Sequence, residues 1–131
     1  MRIEVSQLPP LSSSPNWRGH WTERYKAAKI YQNAVFYECV NALNKLQRVY
    51  WQPGFPPFQK PRLDLTFVFP QYRKRDEDNL RARFKPGLDA IVQAGLLEGD
   101  SIEDLVTGKV FIEVNKERAP LTIIELEALS V

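Results

Sequence analysis

The sequence predicts an α+β domain, a mixed β-sheet with helices packed on it, in the order β-α-β-α-β-β. Three observations carry this. A long apolar stripe at helical spacing runs from Ala28 to Val49. A two-residue alternation spans Leu63 to Phe69, and two further alternating stretches follow around Val110 and Ile124. Strands interrupted by helices and then followed by a strand pair favour a mixed or antiparallel sheet covered by helices. The 131 residues fit a single domain over 1–131. With 44% hydrophobic and 26% charged residues, the composition is that of a folded chain rather than a disordered one.

Each element has its own signal. Ile3 and Val5 alternate with Glu4 in a short first strand that Pro9-Pro10 ends. Leu11-Ser-Ser-Ser-Pro-Asn16 is rich in turn-forming residues and reads as a loop. From Trp17 to about Tyr50 the spacing predicts a long helix, because Ala28, Tyr31, Val35, Cys39, Ala42, Leu46 and Val49 step by three and four. Trp21 and Tyr25 extend the stripe toward its start, and Pro53-Gly54 stops it. A proline-rich connector to Pro61 leads into a strand over Arg62–Pro70, with Leu63, Leu65, Phe67 and Phe69 on one face.

The pattern then turns helical again. Asp78 is the expected N-cap, and Leu80, Phe84, Leu88, Ile91 and Val92 follow at helical spacing. Pro86 should kink or split this helix, and Gly95 is a natural end for it. A continuous helix would place Asp78, Lys85 and Asp89 on one face. Val106–Val114 and Pro120–Leu129 alternate as strands, and Lys116-Glu-Arg-Ala119 between them suggests a hairpin.

Composition also narrows the setting. No apolar run approaches the roughly 20 residues that cross a bilayer. The opening Met1-Arg-Ile-Glu-Val has an acid inside its apolar stretch, unlike a secretory signal. Cys39, the single cysteine, rules out an internal disulfide and a zinc cluster of its own. A cytoplasmic protein with no membrane association is expected. The net charge of +2 is mild, but six basic residues (Arg73, Lys74, Arg75, Arg81, Arg83, Lys85) lie within thirteen positions against Asp76, Glu77 and Asp78. Such a stretch is either a collar for a polyanion or a solvated charged face.

Acids near strand ends with cations beside them are what a divalent-metal site acting on phosphate needs. Mg²⁺ takes one or two protein carboxylates and leaves positions for water and phosphate oxygens. Asp76-x-Asp78 alone also occurs in ordinary surface loops, so both readings stand on the residues. Other chemistries find less. His20, the lone histidine, sits beside Trp17 and Trp21 and reads as a packing or contact residue. There is no Gly-x-Ser-x-Gly, phosphate loop or dinucleotide turn. Asp76, Asp78 and Asp100 are too far apart for an EF-hand, and Glu113-Val-Asn-Lys116 is off the spacing of restriction-type nucleases. Trp17, Trp21, Tyr25 and Trp51 suit base stacking, core packing or a dimer seam.

The string Arg75-Asp-Glu-Asp-Asn-Leu80, with Lys85-Pro-Gly-Leu-Asp-Ala90 and Ala94-Gly-Leu-Leu-Glu-Gly-Asp-Ser101 after it, resembles the RusA family of Holliday junction resolvases. Ser14-Pro-Asn-Trp-Arg-Gly-His-Trp21 is similar to that family's N-terminal stretch. Two positions differ from the family pattern. Ala82 stands where its lysine usually falls, with Lys85 three residues on, and Gly99-Asp100 replaces an Asp-Asp pair. The resemblance implies a RusA-like fold and a bacterial or phage-encoded, Mg²⁺-dependent endonuclease, with Mn²⁺ as the other candidate ion. It implies a homodimer that makes paired symmetric nicks in four-way junction DNA, in recombination and repair. By motif position Asp76, Asp78 and Asp100 would be the catalytic, metal-binding aspartates and Lys85 the catalytic lysine. Arg73, Lys74, Arg75, Arg81 and Arg83 would hold the DNA backbone. A C₂ dimer matches a junction of near two-fold symmetry, one site for each of two opposed strands. Alternatives are a non-catalytic branched-DNA-binding protein of the same fold and a nuclease for flaps or other branches. Asp89 is expected to pair with Lys85 along the helix surface or to support the site as a further acid.

Overall fold

The computed structural model describes residues 1–47 and 58–128. They form an α+β unit with a mixed four-stranded sheet. The chain runs through strand β1 (Arg2–Val5), a 3₁₀ turn (Leu11–Ser13) and helix α1 (Trp21–Gln47). Strand β2 (Arg62–Phe69), helices α2 (Glu77–Arg83) and α3 (Lys85–Gln93), and strands β3 (Val106–Val114) and β4 (Leu121–Glu127) follow. The spatial order is β1-β4-β2-β3, with β2 parallel to β3 and antiparallel to β4. No helix among the described residues is long and apolar enough to cross a membrane.

The expected hairpin is not made. β4 inserts between β1 and β2, and β3 lies on the far side of β2 at the sheet edge. The reason is burial. Leu121, Thr122, Ile123 and Ile124 are buried in succession, which only a strand covered on both faces and both sides can satisfy. β3 keeps much of its surface in solvent, including Phe111, Ile112 and Val114. The connection at residues 115–120 therefore passes the end of β2, where the Asn115 N–H donates to the Phe69 carbonyl (2.9 Å).

One face of the sheet carries the main core. Tyr31, Val35, Cys39 and Leu43, four residues apart on α1, pack with Ile3, Val5, Leu65, Phe67, Ile124 and Leu126. The stripe seen in the sequence thus turns toward Leu43, leaving Ala42 and Leu46 half-buried at its flank. Val49, Trp51, the Pro53-Gly54 stop and Leu129 lie outside the described residues. α1 starts at Trp21 rather than Trp17, because His20 caps it: the Thr22 N–H donates to His20 Nδ1 (3.1 Å). Trp21 and Tyr25 are 71% and 62% exposed, so they extend no core stripe. The Cys39 thiol, surrounded by this core, is pushed up to about 12 by burial.

The opposite face holds a smaller cluster of Val68, Leu121 and Ile123. By register Glu113 neighbours Val68 and Glu4 neighbours Ile123. Arg118 pairs with both acids, Glu113 at 3.1 Å and Glu4 at 3.6 Å, so its side chain reaches over this cluster.

The second helical region is split rather than kinked. α2 ends at Arg83, Phe84 serves as the junction, and Pro86 falls at the second position of α3. There its missing N–H would have had no helical partner. Gly95 sits just beyond α3 with φ +91, and the Leu96 N–H reaches back to the Ile91 carbonyl (3.2 Å).

Tyr31, Thr122 and Gln7 form a buried relay. The Tyr31 hydroxyl donates to Thr122 Oγ1 (2.9 Å), which donates to the Gln7 carbonyl (2.6 Å). Burial pushes the Tyr31 phenol well above its ordinary range. Tyr31→Phe removes one donor and should cost about 1 kcal/mol. Thr122→Val leaves the buried phenol without its acceptor at about 1–3 kcal/mol and also removes the bond to the part-buried Gln7 carbonyl, so it should cost more. Urea unfolding of the two variants checks this order.

Candidate functional site

The loop after β2 is wound around Arg75. Its guanidinium lies 3.6 Å from the Phe69 ring centroid and donates to the Arg73 and Gln71 carbonyls (both 3.2 Å). This delivers Asp76 to the start of α2, where it, and not Asp78, is the N-cap. Its Oδ1 accepts from the Asp78 N–H at 2.9 Å, and its carbonyl accepts the first helical bond from Leu80. Asp78 is exposed in the first turn. Asn79 ties the helix to the early loop, its Nδ2 donating to Ser14 Oγ (2.7 Å).

Lys85 stands at the start of α3 between two acids. It pairs with Asp89 at 3.0 Å, the expected i,i+4 contact, and with Asp100, fifteen residues on, in a shorter contact. The split at Phe84 takes Asp78 off the helix that carries Lys85 and Asp89, so the three share no helix face. The hydrogen bond to Asp100 raises the Lys85 ammonium above its ordinary range and is opposed by partial burial. The same bond holds the Asp100 carboxyl below its own. Contributions to stability follow in sign. The Asp100 part is lost as pH falls through that lowered value, and the Lys85 part as pH rises through the raised one. The pair is solvent-exposed, so its net worth is small.

The turn beyond Asp100 contains an acid not singled out in the sequence. Ser101 Oγ donates to Asp104 Oδ2 (2.7 Å), and that oxygen lies 2.5 Å from where a Cβ on Gly99 would sit. Asp104 thus occupies the space that a side chain at position 99 would enter. The Ser101-x-x-Asp104 spacing was its available signal.

The five cations expected to hold a nucleic-acid backbone have different surroundings. Arg73 and Lys74 are exposed. Arg75 is folded onto its own loop, and Arg81 is shared by Glu77 and the Gly108 carbonyl, both at 2.8 Å. Arg83, expected at the surface, is only 7% exposed. It follows Leu80 by three positions and so joins the inward face of α2, where its Nη2 donates to the Pro9 carbonyl (2.7 Å). Its buried Nε has no partner among the described residues, at a cost of order 1–3 kcal/mol.

Among the described residues, no three carboxylate, histidine or cysteine side chains converge as a metal-binding group. In kind the donors suit a hard divalent cation, since Asp76, Asp78 and Asp100 offer only carboxylate oxygens and Asp78 has no ion-pair partner among the described residues.

No family model matches the chain. An uncharacterized protein of Xylella fastidiosa (strain Temecula1 / ATCC 700964) is 41% identical over 88 residues, which is 66% of this chain and 52% of that protein. The matched stretch therefore spans about half the length of that protein.

Two outcomes follow from this geometry. Asp76→Ala should destabilise the fold by about 1 kcal/mol through loss of the cap, whereas Asp76→Asn keeps a cap and should unfold near the wild-type urea midpoint. In carbon-13 NMR titrations with EDTA present, the Asp100 carboxyl should titrate below the ordinary aspartate range and move back up in Lys85→Met.

Proposed function

We propose that the protein is a RusA-type, structure-selective endodeoxyribonuclease that cuts four-way DNA junctions as a homodimer, with Mg²⁺ as its ion. The observation that supports this most is the pairing of Lys85 with Asp100, since both belong to separate parts of the resembling motif. The bond from Asn79 to Ser14 likewise joins the central motif to the early stretch. In this reading Asp76, Asp78 and Asp100 hold the cation, which supplies an activated water and neutralises phosphate charge when bound.

The chain's own groups have distinct tasks. Asp76 holds the first turn of α2 in place, so Asp78 is presented from a fixed backbone. Lys85, kept protonated by two carboxylates, sets a positive charge where negative charge develops on phosphate. Asp89 retains that ammonium at the site whichever partner Asp100 takes. Arg73 and Lys74, both exposed, meet the backbone of the DNA. Arg81 and Arg83 position α2 rather than touch DNA.

A second reading has a specific observation in its favour. Lys85 pairs with Asp100, and among the described residues no three acids gather, which would suit a branched-DNA-binding protein without cleavage. A synthetic four-way junction incubated with Mg²⁺ or with EDTA separates the two. Paired symmetric nicks that require Mg²⁺ are expected; binding without nicks supports the second reading, and unpaired nicks indicate a flap or branch nuclease. Asp76→Asn and Asp78→Asn should each lower the cleavage rate by at least roughly a hundredfold, with binding kept or tightened. Loss of binding in step with cleavage would sink the assignment.

A further inference from the structure

We infer that the cleft between the 3₁₀ turn and α2 binds a single nucleotide, its base on an apolar floor and its phosphate among arginines. This rests on the DNA reading for the kind of ligand, though not on cleavage. The cleft encloses about 460 Å³, within the roughly 300–1,000 Å³ of small-ligand sites. Leu8, Leu11, Phe69 and Leu80 supply apolar wall, and Arg73, Lys74, Arg75 and Arg83 supply four positive charges against the one carboxylate of Asp76.

The charged groups are set for an anion. Arg83 lines the cleft with its Nη2 held by the Pro9 carbonyl, and its charge adds to those of the exposed Arg73 and Lys74. The cations also crowd one another. Arg73, Lys74 and Arg75 are consecutive and Arg83 lines the same cleft, so like charges adjoin with only the Asp76 carboxylate among the lining acids. A bound anion relieves that repulsion. The apolar wall argues against a bare anion, because inorganic phosphate leaves Leu8 and Leu11 without a partner. Asn79, on the same wall, gives its Nδ2 to Ser14 and keeps its carbonyl oxygen for a base edge.

The test uses the full chain with EDTA, so that cleavage plays no part. Backbone amide shifts are followed by NMR while deoxyadenosine 5′-monophosphate, deoxyadenosine or inorganic phosphate is added. The nucleotide should move amides of residues 8–16 and 73–83 saturably, about tenfold more tightly than either fragment. Leu11 is 67% exposed, so Leu11→Glu should fold normally and weaken the nucleotide by about tenfold or more. Arg73→Gln with Lys74→Gln should weaken the nucleotide while leaving deoxyadenosine unchanged. The inference is overturned if phosphate binds as tightly as the nucleotide at those amides. It is overturned equally if Leu11→Glu binds like wild type, or if no amide moves. Nucleotide binding without junction cleavage would remove the nuclease reading alone, and junction cleavage without nucleotide binding would remove this inference alone.

Discussion

Phe84 fixes the geometry on which both halves of the site depend. Its ring meets Tyr31 of α1 edge-on at 6.3 Å and Phe67 of β2 at 6.2 Å. The backbone at Phe84 is the junction between α2 and α3, so burying this one ring between helix and sheet sets the start of both helices. Upstream it orients the turn that presents Asp76 and Asp78. Downstream it begins the turn that carries Lys85. Aromatic contacts of this kind contribute about 0.5–1.5 kcal/mol each beyond their burial, and here they also determine where charged groups stand.

The charges around that anchor show how local sequence and tertiary packing divide the work. Arg75, Arg81 and Arg83 lie near one another in sequence, yet one stacks on an aromatic ring, one braces β3 through the Gly108 carbonyl, and one is buried. Of the five cations between Arg73 and Arg83, Arg73 and Lys74 are the exposed pair. A stretch that looks uniformly basic in sequence is therefore mostly scaffold. The two exposed cations line the same cleft as Asp76.

Much of the fold was legible because periodicity reports which face is buried. The Tyr31, Val35 and Cys39 part of the α1 stripe and the alternation of β2 match the observed core. Sheet order was not legible, since β3 and β4 run antiparallel to each other whether they touch or are separated by β2. The clue was the unbroken apolar run at Leu121–Ile124, which asks for a central position. Within the candidate site, the i,i+4 pairing of Lys85 with Asp89 follows from helix geometry, but the contact with Asp100 depends on how the chain returns after Gly95. The interior place of Arg83 was hidden by its charge, although its spacing from Leu80 and Phe84 marked it.

The insertion of β4 between β1 and β2 has a consequence for how the chain is made. Among the described residues, β1 pairs within the sheet with β4 alone, its nearest pair being Val5 with Thr122. During synthesis β1, α1 and β2 emerge first, yet the strand that joins β1 to β2 comes last. The sheet cannot close on the ribosome until β4 has cleared the exit tunnel. Until then the apolar sides of β1 and β2 have no central neighbour, and such long-range closure is intrinsically slow.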